Sequence, residues 1–169
     1  MWPPKEPDPR KQVVVHNAAY KLLSRNPAKT NEVPETTKRA HRLTLLWQSE
    51  FPLLKGWTCF KHEYSVAGLR EKFDLVDVED RVVYELKTSG NNASHEFYKN
   101  VFKVIVHNTN APDDRFDHLI FLVPTKGATA LNRGLGWEVQ RMSERLGVDI
   151  RVWNVSLPAD VNGACPGLG

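Results

Sequence analysis

The order of patterns along the chain predicts an α/β protein, with a central mixed β-sheet flanked by helices. Three observations carry this. Two amphipathic segments come first, followed by three short stretches rich in β-branched and aromatic residues. A helical segment then separates the third stretch from a compact apolar run at 118–123, and another separates that run from a last apolar stretch at 148–155. Strands joined by tight turns pair antiparallel, and strands joined through a helix pair parallel. The first three strands are therefore expected to be antiparallel, and the fourth parallel to its neighbour.

A chain of 169 residues is one domain by size, with room for a sizeable core. We expect that domain to span 10–156. Residues 1–9 are punctuated by proline and read as a flexible arm, and 157–169 as a loose Pro/Gly-rich tail. Within the domain, Val14, Val15, Ala18, Ala19, Leu22 and Leu23 recur at helical spacing, and Asn26-Pro27 stops that helix. A second helix is expected over 34–49, with Pro34 in its first turn and Ala40, Leu43, Leu46 and Trp47 as its buried stripe. Lys38, Arg39 and Arg42 are its polar positions. The first strand is expected at 57–66, with Ala67-Gly68 turning into the next. Cys59 and His62 on it face opposite sides, and no second Cys/His pair follows, which sets a zinc site aside.

The segment 73–87 reads as two strands joined at the polar break Glu79-Asp80-Arg81. No glycine marks the turn, so the hairpin rests on pattern and not on turn chemistry. A loop at 88–92 follows, and Asn92 or Ser94 can cap the next helix, which we expect to reach His107. Phe97, Val101, Val104 and Ile105 form its apolar face, and His95, Lys99 and Lys103 a polar, mostly cationic stripe. The glycine-interrupted segment 127–136, beside Lys126 and containing Asn132 and Arg133, reads as a surface connection before a last helix at 137–146.

Several function classes are excluded. No apolar run is long enough to cross a bilayer, and no signal-like segment opens the chain. Two cysteines read as free thiols of a reducing compartment, so a cytoplasmic protein is expected. No Walker loop or dinucleotide fingerprint is present. His95-Glu96 fails as a zinc-protease motif because Lys99 stands where the second histidine is required. A net charge of +3 is a mild basic bias, compatible with a polyanionic partner.

One constellation carries chemistry. Glu85 and Lys87 project from the same side of a strand, and antiparallel pairing can bring Asp74 alongside them. Two carboxylates and an ammonium at the end of a sheet suit divalent-metal phosphodiester chemistry. Mg²⁺ takes hard oxygen ligands, so one or two carboxylates hold it, and the Leu86 carbonyl can add a further oxygen. A lysine beside it can orient water and offset phosphate charge. Asp77 competes with Asp74 but lies on the opposite face of its strand, so both cannot serve without a bulge.

The pattern Asp74, then Glu85-Leu86-Lys87, resembles the PD-(D/E)XK nuclease superfamily, which includes many type II restriction endonucleases. Phe73 stands where the name of the motif expects proline, and the resemblance covers roughly residues 35–125. It implies a restriction-endonuclease-like sandwich and a Mg²⁺-dependent endonuclease, with Mn²⁺ as a substitute ion. Asp74, Glu85 and the Leu86 carbonyl would hold the metal, and Lys87 would position and help deprotonate the attacking water. Glu35 on the preceding helix would complete the outer shell, with Glu50 a poorer match. His95, Tyr98, Lys99 and Lys103, with Asn91 and Asn92, would grip nucleic acid. Double-stranded DNA would be cut at the P–O3′ bond to leave 5′-phosphates, by a homodimer if the target is palindromic. Two other readings remain: a repair or junction-cleaving nuclease with the same core, distinguished by preferring branched DNA, and a non-catalytic nucleic-acid-binding module, distinguished by binding indifferent to Mg²⁺.

Overall fold

The computed structural model describes residues 2–27, 37–51, 57–160 and 165–167. They form a five-stranded mixed sheet flanked by helices on both faces. The strands are β1 (Phe60–Ser65), β2 (Lys72–Asp77), β3 (Val82–Leu86), β4 (His118–Val123) and β5 (Asp149–Asn154), lying in that order across the sheet. Pairing is antiparallel from β1 to β3 and parallel from β3 to β5. Helices α1 (Pro9–Arg25) and α2 (Thr37–Gln48) cover one face; α3 (Ala93–Asn110) and α4 (Thr125–Leu146) cover the other.

Alternation along β4 shows how the layers are built. Leu119, Phe121 and Val123 point towards Phe97 and Val101 of α3 and Leu131 of α4, while Ile120 and Leu122 point towards Val15, Ala19 and Trp47. All six residues of β4 are buried, which is why it reads as an unbroken apolar run. Burying each such Leu, Ile or Phe contributes roughly 1.5–3 kcal/mol, so this strand is the centre of the fold.

The hairpin forms where the pattern places it, and its turn chemistry lies elsewhere than in glycine. Arg81 adopts a left-handed φ of 58°. Oδ1 of Asp77 accepts bonds from the backbone N–H groups of Glu79 (3.0 Å) and Asp80 (3.1 Å), closing the turn. The other oxygen of Asp77, fully buried, sits 3.1 Å from the Lys11 ammonium, which also reaches Glu79 (2.7 Å) and Asp80 (3.2 Å). Asp77 is thus occupied in fixing α1 to the hairpin, on the face away from Asp74.

Two expectations need correction. The segment 127–136 is not a surface connection but the first half of α4, which runs unbroken through its glycines. Gly127 is there for close packing: a Cβ at that position would collide with Cγ2 of Val123 and lie 3.1 Å from Cβ of Ala93. On α2, Leu46 is 46% exposed, and the helix meets the protein through Leu43, Trp47 and Gln48 instead. The arm and tail make contacts with the domain in their described parts. The Lys5 carbonyl lies 2.9 Å from Nε2 of His118, Glu6 pairs with Arg151, and Gly167 bridges to Trp153 along the outer edge of β5. Among the described residues, no helix is long and apolar enough to cross a membrane.

The glycines of α4 should therefore respond with opposite signs. Gly127→Ala should destabilise the protein by about 1–3 kcal/mol, because the collision outweighs the gain in helix propensity. Gly134→Ala, with nothing within 4 Å of where the added Cβ would stand, should stabilise by about 0.5–1 kcal/mol. Urea unfolding of the two variants checks both signs.

Candidate active site

The site arises where the β2–β3 ladder fails. Pairing runs through Asp77 with Val82, Val76 with Val83 and Leu75 with Tyr84, and the next pair in the same register is Asp74 with Glu85. There, side chains replace the ladder: the Asp74 N–H donates to Oε1 of Glu85 (3.3 Å), and the Leu86 N–H donates to Oδ2 of Asp74 (3.0 Å). On the other side of β2, the pairing with β1 skips Glu63, whose φ is 51°. Nε2 of Gln48, at the end of α2, donates to the Asp74 carbonyl (2.6 Å) and to Oε1 of Glu63 (3.0 Å). The strands splay around Asp74, and that opening is what brings two carboxylates together.

Glu85 lies on the α3 face of β3, in line with Val83. Its partner is Lys103, which reaches in from α3. The Lys103 ammonium donates to Oε1 of Glu85 (2.7 Å) and to the Lys72 carbonyl (2.7 Å), and stands over the Phe73 ring at 5.4 Å. The two side chains are 5% and 6% exposed, so this is a buried pair. Burial pushes the Glu85 carboxyl well above the ordinary glutamate range, Asp74 nearby pushes it further, and Lys103 pulls against both. Burial also raises the Asp74 carboxyl, opposed mainly by the Leu86 N–H and then by Lys103. The two acids share one buried ammonium, that of Lys103.

These groups line a cavity of about 280 Å³ between α2, α3 and the end of β3. Lys87 lines it too, and its backbone N–H is held by the Leu122 carbonyl at 2.8 Å. The Lys87 ammonium has no hydrogen-bond or ion-pair partner among the described residues. A divalent ion fits this donor set. The carboxylates are hard oxygens, and the cavity has room for water around an ion. Asp74 and Glu85, with the Leu86 carbonyl, are the residues that could hold it.

The other sequence-derived residues divide. Lys99 lines the cavity and pairs with Glu71 at 3.4 Å. Lys103, expected on a solvent-facing cationic stripe, is buried against Glu85 and is not presented to a phosphate backbone. His95 and Tyr98 are exposed on α3 but do not line the cavity. Asn91 accepts a bond from Lys126 (2.8 Å), and Asn92 is the N-cap of α3 without a side-chain capping bond. Glu35 lies outside the described residues. Glu50 is exposed beside α1, away from the cavity. Sequence reasoning missed Gln48 and the inward role of Lys103. A signal for the latter existed: Asn100, Lys103, Val104 and His107 follow i, i+3, i+4, i+7, and all four are buried.

Cys59, Asp77 and Glu79 also bring ligand atoms within reach of one another and could hold a metal by spacing. The Lys11 ammonium already sits on both carboxylates, however, and burial pushes the Cys59 thiol up to about 11, which disfavours the thiolate a metal requires.

Two stability changes follow. For an acid raised in the folded state, the native protein binds the extra proton, so stability is lost as pH climbs from the ordinary carboxylate range towards the raised value. Asp74→Asn leaves a neutral Glu85–Lys103 pair and should be about 1–2 kcal/mol more stable than wild type near neutral pH. The gap should close as pH falls to about 4, where free aspartate titrates. Lys103→Met should have the opposite effect, destabilising by about 3–5 kcal/mol near neutral pH because Glu85 is left buried without its cation. Denaturant unfolding across pH measures both.

Compared with known proteins, the chain matches no family model, no curated protein and no solved structure. The functional reading stands on the site itself.

Proposed function

We propose that this protein is a metal-dependent endonuclease that hydrolyses phosphodiester bonds in double-stranded DNA, built on a restriction-endonuclease-like fold. The observation that carries the reading is the convergence of Asp74, Glu85 and Lys87 on one cavity at the open end of β2 and β3. Also in its favour are the raised carboxyls of Asp74 and Glu85, since perturbed acids in a cleft concentrate at functional sites.

In this reading Asp74, Glu85 and the Leu86 carbonyl hold Mg²⁺, or Mn²⁺ in its place. The ion, when bound, lowers the pKa of a coordinated water and neutralises charge developing on the phosphate. Lys87, whose ammonium is not engaged by another described side chain, positions the attacking water and balances charge on the phosphoryl oxygens. Lys103 holds the Glu85 carboxylate in place through its buried bond. Water attacks phosphorus as the P–O3′ bond breaks, leaving a 5′-phosphate on one fragment and a 3′-hydroxyl on the other. Cutting both strands of a palindromic target calls for two such sites, hence a homodimer on DNA.

The test is cleavage of plasmid DNA with Mg²⁺ and with EDTA. Discrete fragments should form with Mg²⁺ and none with EDTA. Lys87→Ala and Asp74→Ala should each lower the rate by about 100-fold or more. Cutting by either variant at the wild-type rate refutes the assignment, and a preference for branched over intact duplex DNA reassigns it to junction or repair cleavage.

A further inference from the structure

A second cavity adjoins the first. It has a volume of about 390 Å³ and lies at the carboxyl ends of β3, β4 and β5. Its walls come from helical and loop segments that are distant in sequence. Ser24 and Asn26 close α1, Arg39 belongs to α2, Thr88 to Asn91 follow β3, and Lys126 and Ser156 follow β4 and β5. The two cavities differ in charge. The first carries both signs on its wall, the carboxylates of Glu71, Asp74, Glu85 and Glu96 with the ammonium groups of Lys72, Lys87, Lys99 and Lys103. This one has two cations and four hydroxyl-bearing residues, and no carboxylate among the described residues.

The construction is tight. Gly90 lies against the first turn of α4, where a Cβ on it would fall 2.6 Å from Cβ of Lys126 and 2.8 Å from the Gly127 nitrogen. The loop therefore packs directly on α4. Across that contact the Lys126 ammonium donates to Oδ1 of Asn91 at 2.8 Å, so its hydrogen-bond partner is a neutral amide and its charge is not cancelled there. Arg39, on the opposite wall, donates through Nη2 to the Asn26 carbonyl at 2.6 Å. Thr88 lines both cavities, so the two are neighbours that share that residue in their walls.

We infer that this second cavity is a phosphate-backbone subsite, which holds the DNA strand next to the phosphodiester engaged at Asp74 and Glu85. The inference rests on the nuclease reading for the identity of the strand. The polyanion follows from the chemistry of the wall. The Lys126 ammonium on its neutral partner and the hydroxyl donors around it suit phosphate oxygens, and the described residues of this wall set no carboxylate against them. The role is sequence-independent, since nothing in the described wall is arranged to read base edges.

Binding can be measured apart from cleavage. The full-length protein is titrated, in EDTA, into a fluorescein-labelled DNA duplex, and anisotropy is followed at several salt concentrations. Lys126→Gln, at an exposed position, should weaken binding about 3- to 10-fold and reduce the slope of log K against log salt by about one. Ser89→Glu, which places a carboxylate on the wall, should weaken binding at least as much. Lys61→Gln, on an exposed position of β1 outside both cavities, should change neither quantity. Thermal melting of each variant verifies that it is folded. Unchanged affinity and slope in Lys126→Gln overturn the subsite, even if the protein cuts DNA with Mg²⁺. A lost unit of slope in a protein that cuts no DNA keeps the subsite and overturns the hydrolytic reading alone.

Discussion

Asp74 and Glu85 stand opposite each other at the point where β2 and β3 part, and the surrounding structure is arranged to make that tolerable. Two like charges at such proximity in a buried setting repel strongly, because little water is present to screen them. Two neighbours offset that cost, and a third satisfies the backbone beside it. Leu86 donates its N–H to Asp74, Lys103 brings one ammonium to Glu85, and Gln48 satisfies the Asp74 carbonyl that the ladder leaves unpaired. These contacts come from β3, α3 and α2, so the positions of both helical layers are coupled to the acid pair. An ion pair as buried as Glu85 with Lys103 is weak evidence for stability, since a well-packed apolar pair often does as well.

The acids of β2 are divided between structure and chemistry by strand alternation. Asp77 turns to the α1 side, closes the hairpin turn and meets Lys11. Asp74, three residues away, turns to the opening and lines the cavity. Asp77 has the Lys11 ammonium at 3.1 Å, whereas the Asp74 carboxylate accepts from the Leu86 N–H and faces Glu85. The Lys87 ammonium lines the same cavity, and Thr88 is shared with the cavity next to it.

How much of this was legible in the sequence depends on the range of the interactions involved. The strand at His118–Val123 was legible because burial on both faces makes an unmistakable apolar run. The hairpin was legible by alternation although its turn was not, since Arg81 in a left-handed conformation and the bonds to Asp77 leave no glycine signal. Helix α4 was misread because Gly127, Gly134 and Gly136 argue for a loop locally, whereas packing against Val123 and Ala93 demands a small residue at the first of them. The alternation of Glu85 and Lys87 and their nearness to Asp74 could be argued from strand geometry. The Lys103 contact could not be found that way, because it joins α3 to β3 across 18 positions of sequence. Gln48, which reaches Asp74 from 26 positions away, is of the same kind.

The proposed function requires a hard divalent cation to complete the buried acid pair of Asp74 and Glu85. Calorimetric titration of Mg²⁺ into the protein near neutral pH, with no nucleic acid present, tests it most directly. Saturable binding by wild type is expected, together with its loss in Asp74→Asn, which removes one carboxylate ligand; thermal melting verifies that the variant is folded. Absence of binding by wild type, or equal binding by Asp74→Asn, would contradict it.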